Sequence, residues 1–464
     1  MSTPGSADGL GLGMSVLGAT LLNDSPPPED RARASSFGST GTADAMPLMK
    51  LGGGDGVVEG DGDDDPVVLQ SDPGRSSIPE ASFNLINSIV GAGMIGIPFA
   101  FREAGMVAGI ALMVVMGGLT DYSIRLLIHL GERSSNRTYQ NLVYHYAGRS
   151  GYVLLTFAQF MFPFFGMCAY SIIVGQMYPE VFGVLFGPSF LSRREPVISI
   201  MSACVMIPLA LKRDIAGLAR WSLLAIFGVV FLAVVLIVGG STVEHPPSRG
   251  PVPTIVEANL VQAIGVMAFA YVCHHNVFLV YESLKSASER RMAQATHISI
   301  GSSCALMLVV GIAGYLPFGA ATEANVLDNF PEDDKLITAG RTFFGMVVML
   351  TYPIECFVAR EVIQESFFPG GLSLRDHVLV TLGICGAVLT IALLTDNLGL
   401  VFEVNGVVCA NILAYSLPGF LGAVAYRDAP WSDARRWKPT LLLVFGGAVF
   451  LIGVTMIILE LAEG

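Results

Sequence analysis

Charge is what this chain has least of. Only 14% of its 464 residues are Asp, Glu, Lys or Arg, where soluble domains carry about 25%. With 53% hydrophobic residues and a mean hydropathy of +0.62, a water-soluble globular domain is excluded. No basic segment precedes an apolar run at the N-terminus, so no cleavable signal peptide is expected. Neither H-E-x-x-H nor G-x-S-x-G occurs, which argues against an intramembrane enzyme. No cysteine is available in a loop. Cys168, Cys204, Cys273, Cys304, Cys356, Cys385 and Cys409 all fall inside apolar runs. No structural disulfide is therefore expected, and each thiol reads as a small packed hydrophobe.

The net charge of -12 is unevenly spread: residues 1–80 hold 13 acidic and four basic side chains. Residues 1–78, rich in Gly, Ser, Pro and Asp, cannot bury enough apolar surface to offset ordering entropy. They read as a disordered acidic cytosolic tail, either plainly solvated or regulated at Ser35, Ser36 and Ser39, and a candidate contact for a protein partner. No nucleic-acid partner and no cofactor are expected.

Residues 79–464 read as one transmembrane domain, all α-helical. Apolar runs long enough to cross a bilayer recur, giving eleven expected spans: 82–104, 106–130, 152–178, 196–211, 216–239, 257–283, 297–319, 337–363, 375–395, 397–422 and 439–460. The fourth is the shortest. Basic residues set the direction: an N-terminus in the cytosol puts fifteen Lys/Arg on cytosolic loops and six outside. The C-terminus is then extracytosolic, and the sequons at Asn23 and Asn136 are cytosolic and unused. Trp221, Trp431 and Trp437 flank cytosolic span ends, where amphipathic rings favour the interface. The acidic loop 320–336 either concentrates cations at an entrance or is simply solvated.

The stretch SFNLINSIVGAGMIGIPFAFREAG, residues 82–105, organises the rest. Interior Gly and Pro weaken a helix by about 1 and 3 kcal/mol, so span 1 should open at Gly91, Gly93 and Gly96 before Pro98. Lipid cannot satisfy the freed backbone groups, so such a break must face protein or a polar cavity. Gly91-Ala-Gly93-Met94-Ile95-Gly96 also fits G-x-G-x-x-G, but a nucleotide site needs a preceding strand and a βαβ unit. Close helix packing through small residues is one alternative. The other is an anion site, with N–H groups at the start of the second half-helix meeting the α-carboxylate of an amino acid.

Asn84–Ile89 (NLINSI) returns as Asn259–Ile264 (NLVQAI). Five spans separate the two, so the second copy is inverted. Inverted repeats over about 82–250 and 257–425, with broken spans 1 and 6 and an extra helix at 439–460, describe the LeuT-type arrangement. The partner break is expected over Ala268–Asn276. There, carbonyls near Phe269 and Ala270, with Tyr271 and Cys273, would meet an α-ammonium group. His274 and His275 are either proton carriers or hydrogen-bonded interior side chains. In span 8, Thr351 is either an oxygen ligand for a hard cation such as sodium or bonded within its own helix, relieving the kink at Pro353. Glu355 and Glu403 are the acidic candidates for proton coupling or ion pairing. Asp121 and Arg125, four apart, read as a structural ion pair. No acidic cluster lines the candidate site, which favours neutral substrates.

FNLINSIVGAGMIGIPFAFREAG, DYSIRLLIHLG, MAFAYVCHHNVFLVYESLK and MLTYPIECFVAREVI resemble the sodium-coupled neutral amino acid transporters, solute carrier family 38, of the amino acid/auxin permease group. TYPIECFVAREVI and FEVNGVVCA point to one branch of that family. The resemblance covers about residues 80–460. It implies an eleven-span LeuT-type fold and sodium-driven amino acid import, with Asn87 and Thr351 as sodium-linked positions. Two departures stand out: His275 occupies a position where the family often has Pro, and no cysteine serves the family's outer-loop disulfide. A proton-coupled permease and an amino-acid-sensing receptor are the alternatives. The membrane is expected to be the plasma membrane or an endolysosomal or vacuolar one.

Overall fold

Ser77 starts the first helix. Its hydroxyl accepts from the Glu80 N–H while the Glu80 carboxylate accepts from the Ser77 N–H, a reciprocal cap. Pro79 sits in the first turn, where a missing N–H costs nothing. The computed structural model describes residues 76–213, 222–243, 256–257, 259–368 and 370–463. The acidic tail up to residue 75, with Asn23, Ser35, Ser36 and Ser39, and Trp221 lie outside the described residues.

Helix α1 (Ile78–Ile89) ends where the glycines begin. A short 3-10 segment, Ala92–Gly96, leads into α2 (Ile97–Ala104), with Pro98 in its first turn. The two halves meet at 59°. Gly105, at φ 84°, then turns the chain into α3 (Met106–Ser134). Helix α4 (Tyr139–Phe186) bends at Gly148, whose φ of 62° suits only glycine well. Next come α5 (Arg194–Met201), a wide π-type turn at Ser202–Met206, and α6 (Ile207–Ala210). Helix α7 (Ser222–Thr242) closes the first half.

The second half opens with α8 (Leu260–Tyr271), a 3-10 turn at His274–Asn276 and α9 (Val277–Ser283). Helices α10 (Glu289–Phe318), α11 (Lys335–Phe367) and α12 (Leu374–Leu394) follow. Then α13 (Leu398–Val404) passes through wide turns at Asn405–Ala410 and Ile412–Ser416 into α14 (Leu417–Ala425). Helix α15 (Ala434–Glu463) ends the described chain.

Among the described residues, nine helices are long and apolar enough to cross a membrane, and ten when α1 and α2 count as one bent span. The expected eleventh is the segment from Arg194 to Ala210. Its 17 residues rise about 25 Å at 1.5 Å each, short of the ~30 Å hydrocarbon core. The fourth span is thus at the short end of the range that crosses a bilayer. The second break lies within the expected Ala268–Asn276, in its later part: Phe269 and Ala270 remain inside α8, and the helix opens only after Tyr271, where Val272 takes extended backbone angles.

The two broken spans run antiparallel and are tied at both ends. At one end the Ser76 N–H donates to the Ser283 carbonyl at 2.8 Å, and the Lys285 N–H to the Ser76 carbonyl at 2.9 Å. At the other, the Glu257 N–H donates to the Ala104 carbonyl at 2.9 Å, and Asn259 Nδ2 to Glu103 Oε2 at 2.7 Å. The breaks therefore lie side by side at mid-height, an inverted pairing as the repeat implies.

Candidate functional site

Gly93 is where the two breaks touch. A Cβ there would stand 3.0 Å from Ala270 Cα and 3.2 Å from Phe269 Cδ1, so only glycine lets the backbones approach this closely. Gly93 is not among the positive-φ glycines, so space and not backbone angle demands it. Met94 and Ile95 are fully buried, holding the 3-10 segment in the core. A Cβ on Gly96 would meet the Phe402 ring at 2.7 Å. Phe402 stacks on Phe269 with centroids 5.3 Å apart, and Phe269 meets Phe162 at 5.6 Å. Spans 1, 3, 6 and 10 thus converge on one aromatic cluster beside the break.

Gly91 faces α4: a Cβ there would lie 3.9 Å from the Tyr170 hydroxyl. That hydroxyl donates to Glu355 Oε1 at 3.5 Å. The opened backbone, a phenol and a carboxylate therefore form a row across spans 1, 3 and 8. Asn87, in the last turn of α1, is partly buried, and its Oδ1 is sealed from solvent with no donor. A buried acceptor without a partner is costly, which makes this oxygen a candidate ligand. On the flanks of the breaks, Asn276 Nδ2 donates to Ser88 Oγ at 2.6 Å.

Other expected residues are already engaged by protein groups or packed against rings. The Tyr271 hydroxyl donates to the Met113 carbonyl at 3.1 Å, pinning α8 to α3 and away from the break. Cys273 is buried, and its carbonyl accepts the Asn276 N–H at 2.9 Å. Ser123 Oγ donates to the Ala414 carbonyl, so it accepts from His274 Nε2, 3.2 Å away. This arrangement makes Nε2 the protonated nitrogen of His274 and leaves Nδ1 as a buried acceptor without a donor. His275 lies against the Phe162 ring at 5.8 Å, its Nδ1 also unpartnered. Thr351 Oγ1 donates to the Val347 carbonyl at 2.9 Å, a bond within its own helix; its lone pairs remain for a cation.

Glu403 is not at the break. It is 1% exposed, accepts from Gln262 Nε2 at 2.9 Å, and lines a separate cleft of about 860 Å³ with Glu103, Arg102, Arg194, Asp328 and Asp396. Burial, together with Glu180 and Glu323 nearby and against the pull of Arg341, pushes the Asp328 carboxyl up to about 7. Asp121 and Arg125 pair at 2.7 Å as expected, and Asp121 also meets His297 at 2.6 Å. Cys204 is exposed, against the expectation of a packed thiol.

Tyr170, Phe162 and Phe402 carry no sequence signal that separates them from ordinary span residues, whereas Ser88 adjoins Asn87 and Asn276 ends the expected second break.

An all-helical bundle with two antiparallel broken spans meeting at glycine is the LeuT-type transporter architecture. Solved structures agree on the fold. The chain superposes on MhsT in complex with L-phenylalanine with a TM-score of 0.52 at 11% identity, covering 83% of this chain and 99% of that one. The inward-facing conformation of Mhp1 gives a TM-score of 0.52 at 13% identity, covering 84% and 92%. The family model described as "Transmembrane amino acid transporter protein" matches residues 74–459, and the chain belongs to that family. Relatives include "Putative sodium-coupled neutral amino acid transporter 11" of Danio rerio, 38% identical over 83% of this chain and 87% of the relative. The human protein of the same title is 35% identical over 77% and 89%. "Vacuolar amino acid transporter 2" of Saccharomyces cerevisiae is 30% identical over 88% and 89%.

Proposed function

We propose that this protein carries neutral L-amino acids across its membrane by sodium-coupled symport, binding them where the two breaks meet. The observation that carries this reading is the close approach of Gly93 to Ala270, which sets the 3-10 segment of span 1 beside the last turn of α8. A zwitterion needs both: N–H groups around Gly91, Gly93, Met94, Ile95 and Gly96 for its carboxylate, carbonyls at the end of α8 for its ammonium group. The nearby carboxylate of Glu355 already has the Tyr170 hydroxyl as a partner, and the Phe162–Phe269–Phe402 cluster supplies apolar walls. Asn87 Oδ1 and Thr351 Oγ1 are the sodium ligands of this reading. The printed names of the animal relatives support the ion and the substrate class.

In this scheme the N-terminus and its acidic tail are cytosolic, the tail free to meet a protein partner, and the C-terminus is extracytosolic. The repeats extend over about 82–250 and 257–425. The membrane is the plasma membrane or an endolysosomal or vacuolar one, the last favoured by the yeast relative's name. Replacing sodium with choline during uptake of a radiolabelled amino acid panel abolishes transport if the reading holds; undiminished flux overturns sodium coupling. One observation favours a second reading, proton coupling: among the described residues, the Glu355 carboxylate accepts from the Tyr170 hydroxyl, beside the break, with no cation paired to it. Uptake at fixed sodium across pH then depends on Glu355 and is flat in Glu355→Gln.

A further inference from the structure

The sequence places all seven cysteines in spans and gives none a partner, yet two of them meet. Cys356 of α11 and Cys385 of α12 bring their sulfurs to 3.9 Å. Both are buried, at 0% and 1% exposure. A second contact fixes their register. One turn along the same seam, Arg360 Nη1 donates to Thr381 Oγ1 at 3.0 Å and to the Ala210 carbonyl at 3.0 Å. Arg360 lies four residues after Cys356 and Thr381 four before Cys385, so the antiparallel helices hold the thiols face to face.

We propose that Cys356 and Cys385 are a redox site: a peroxide converts them to a disulfide that clamps α11 to α12 and slows transport, and thiol reductants reverse it. A disulfide needs its sulfurs at about 2.05 Å, so they close by about 1.9 Å. The chemistry balances with hydrogen peroxide as oxidant. One thiolate attacks the O–O bond and forms a sulfenic acid, releasing hydroxide, which takes up the thiol's proton as water. The second thiol then displaces the sulfenic oxygen as a second water, forming the S–S bond; the sulfurs lose two electrons and the peroxide gains them. The functional consequence follows from position. Cys356 directly follows Glu355, whose carboxylate meets Tyr170 beside Gly91. A clamp at Cys356 therefore restrains span 8 at the level of the break.

The test treats the full-length protein in membranes with hydrogen peroxide, alkylates free thiols and maps peptides without reduction. The expected product is a linked Cys356–Cys385 pair, lighter by two hydrogens, with uptake reduced and recovered on adding dithiothreitol. Cys356→Ser and Cys385→Ala each lose the link and keep their uptake under peroxide. Glutathione added to the same membranes serves as the control for oxidant delivery. Oxidised glutathione with Cys356 and Cys385 still alkylated overturns the proposal, as does a formed link with unchanged uptake. The uptake readout rests on the transport reading while the mass readout does not, so failure of one is distinguishable from failure of the other.

Discussion

Gly93→Ala is the sharpest test of the paired breaks. The added methyl would lie 3.0 Å from Ala270 Cα, 3.1 Å from its Cβ and 3.2 Å from Phe269 Cδ1. The nearest of these is main chain and cannot rotate aside, so the two breaks must move apart. Overpacking by a methylene in a filled core costs about 1–3 kcal/mol. If that cost falls on the substrate-ready arrangement, apparent affinity drops about 5- to 150-fold at 1.4 kcal/mol per decade. Gly118→Ala is the matched control: a Cβ there meets nothing within 4 Å, and α3 gains about 1 kcal/mol of helix propensity. Radiolabelled uptake normalised to protein at the membrane, over a range of substrate concentrations, is the assay. Gly93→Ala is expected to raise KM steeply, or to abolish uptake, at normal abundance, while Gly118→Ala behaves as wild type. Wild-type KM and Vmax in Gly93→Ala would refute the idea that substrate binds where the breaks touch.

Thr351→Val keeps the volume and removes the hydroxyl; a lost ligand to a charge is worth about 1.5–3 kcal/mol, so the sodium concentration for half-maximal uptake rises, and an unchanged sodium response removes Thr351 from the site. Arg341 is fully buried, pairs with Glu180 at 2.7 Å and donates to the carbonyls of Leu327, Phe330 and Pro331. Arg341→Ala leaves Glu180 without its partner and should destabilise by about 3–5 kcal/mol, read as a lower melting temperature in detergent. The Asp328 carboxyl is raised from 3.8 to about 7, first by burial. The folded loop therefore holds a proton that the unfolded one releases. That stabilisation is full below pH 3.8 and is lost as pH rises through about 7. Hydrogen exchange across residues 319–334 should accelerate from acid to neutral pH in wild type and show no such step in Asp328→Asn beyond the intrinsic rate.

Much of the architecture follows from the sequence because bilayer physics acts on runs of residues. A chain with 14% charge has few places to put polar backbone, so the glycines at 91, 93 and 96 and the inverted echo at Asn259–Ile264 locate two broken helices without coordinates. The short fourth span was visible as the weakest apolar run. The second break falls within the expected Ala268–Asn276 but opens only after Tyr271, because Phe269–Tyr271 keep their helix with Tyr271 anchored on Met113. Asp121 and Arg125 were legible because i and i+4 share a helix face; His297 as a third member was not, since it comes from another helix.

The sequence alone determined that the chain spans a membrane, breaks at glycine and repeats in inverted form, since each is written in short runs whose order and spacing can be read along the chain. What each polar side chain faces was decided only by packing between distant helices. Glu355 and Glu403 look alike in sequence, yet one meets Tyr170 beside the break and the other bonds Gln262 in a separate cleft. The same holds for Cys356 and Cys385, 29 residues apart and in contact only because two helices pack antiparallel.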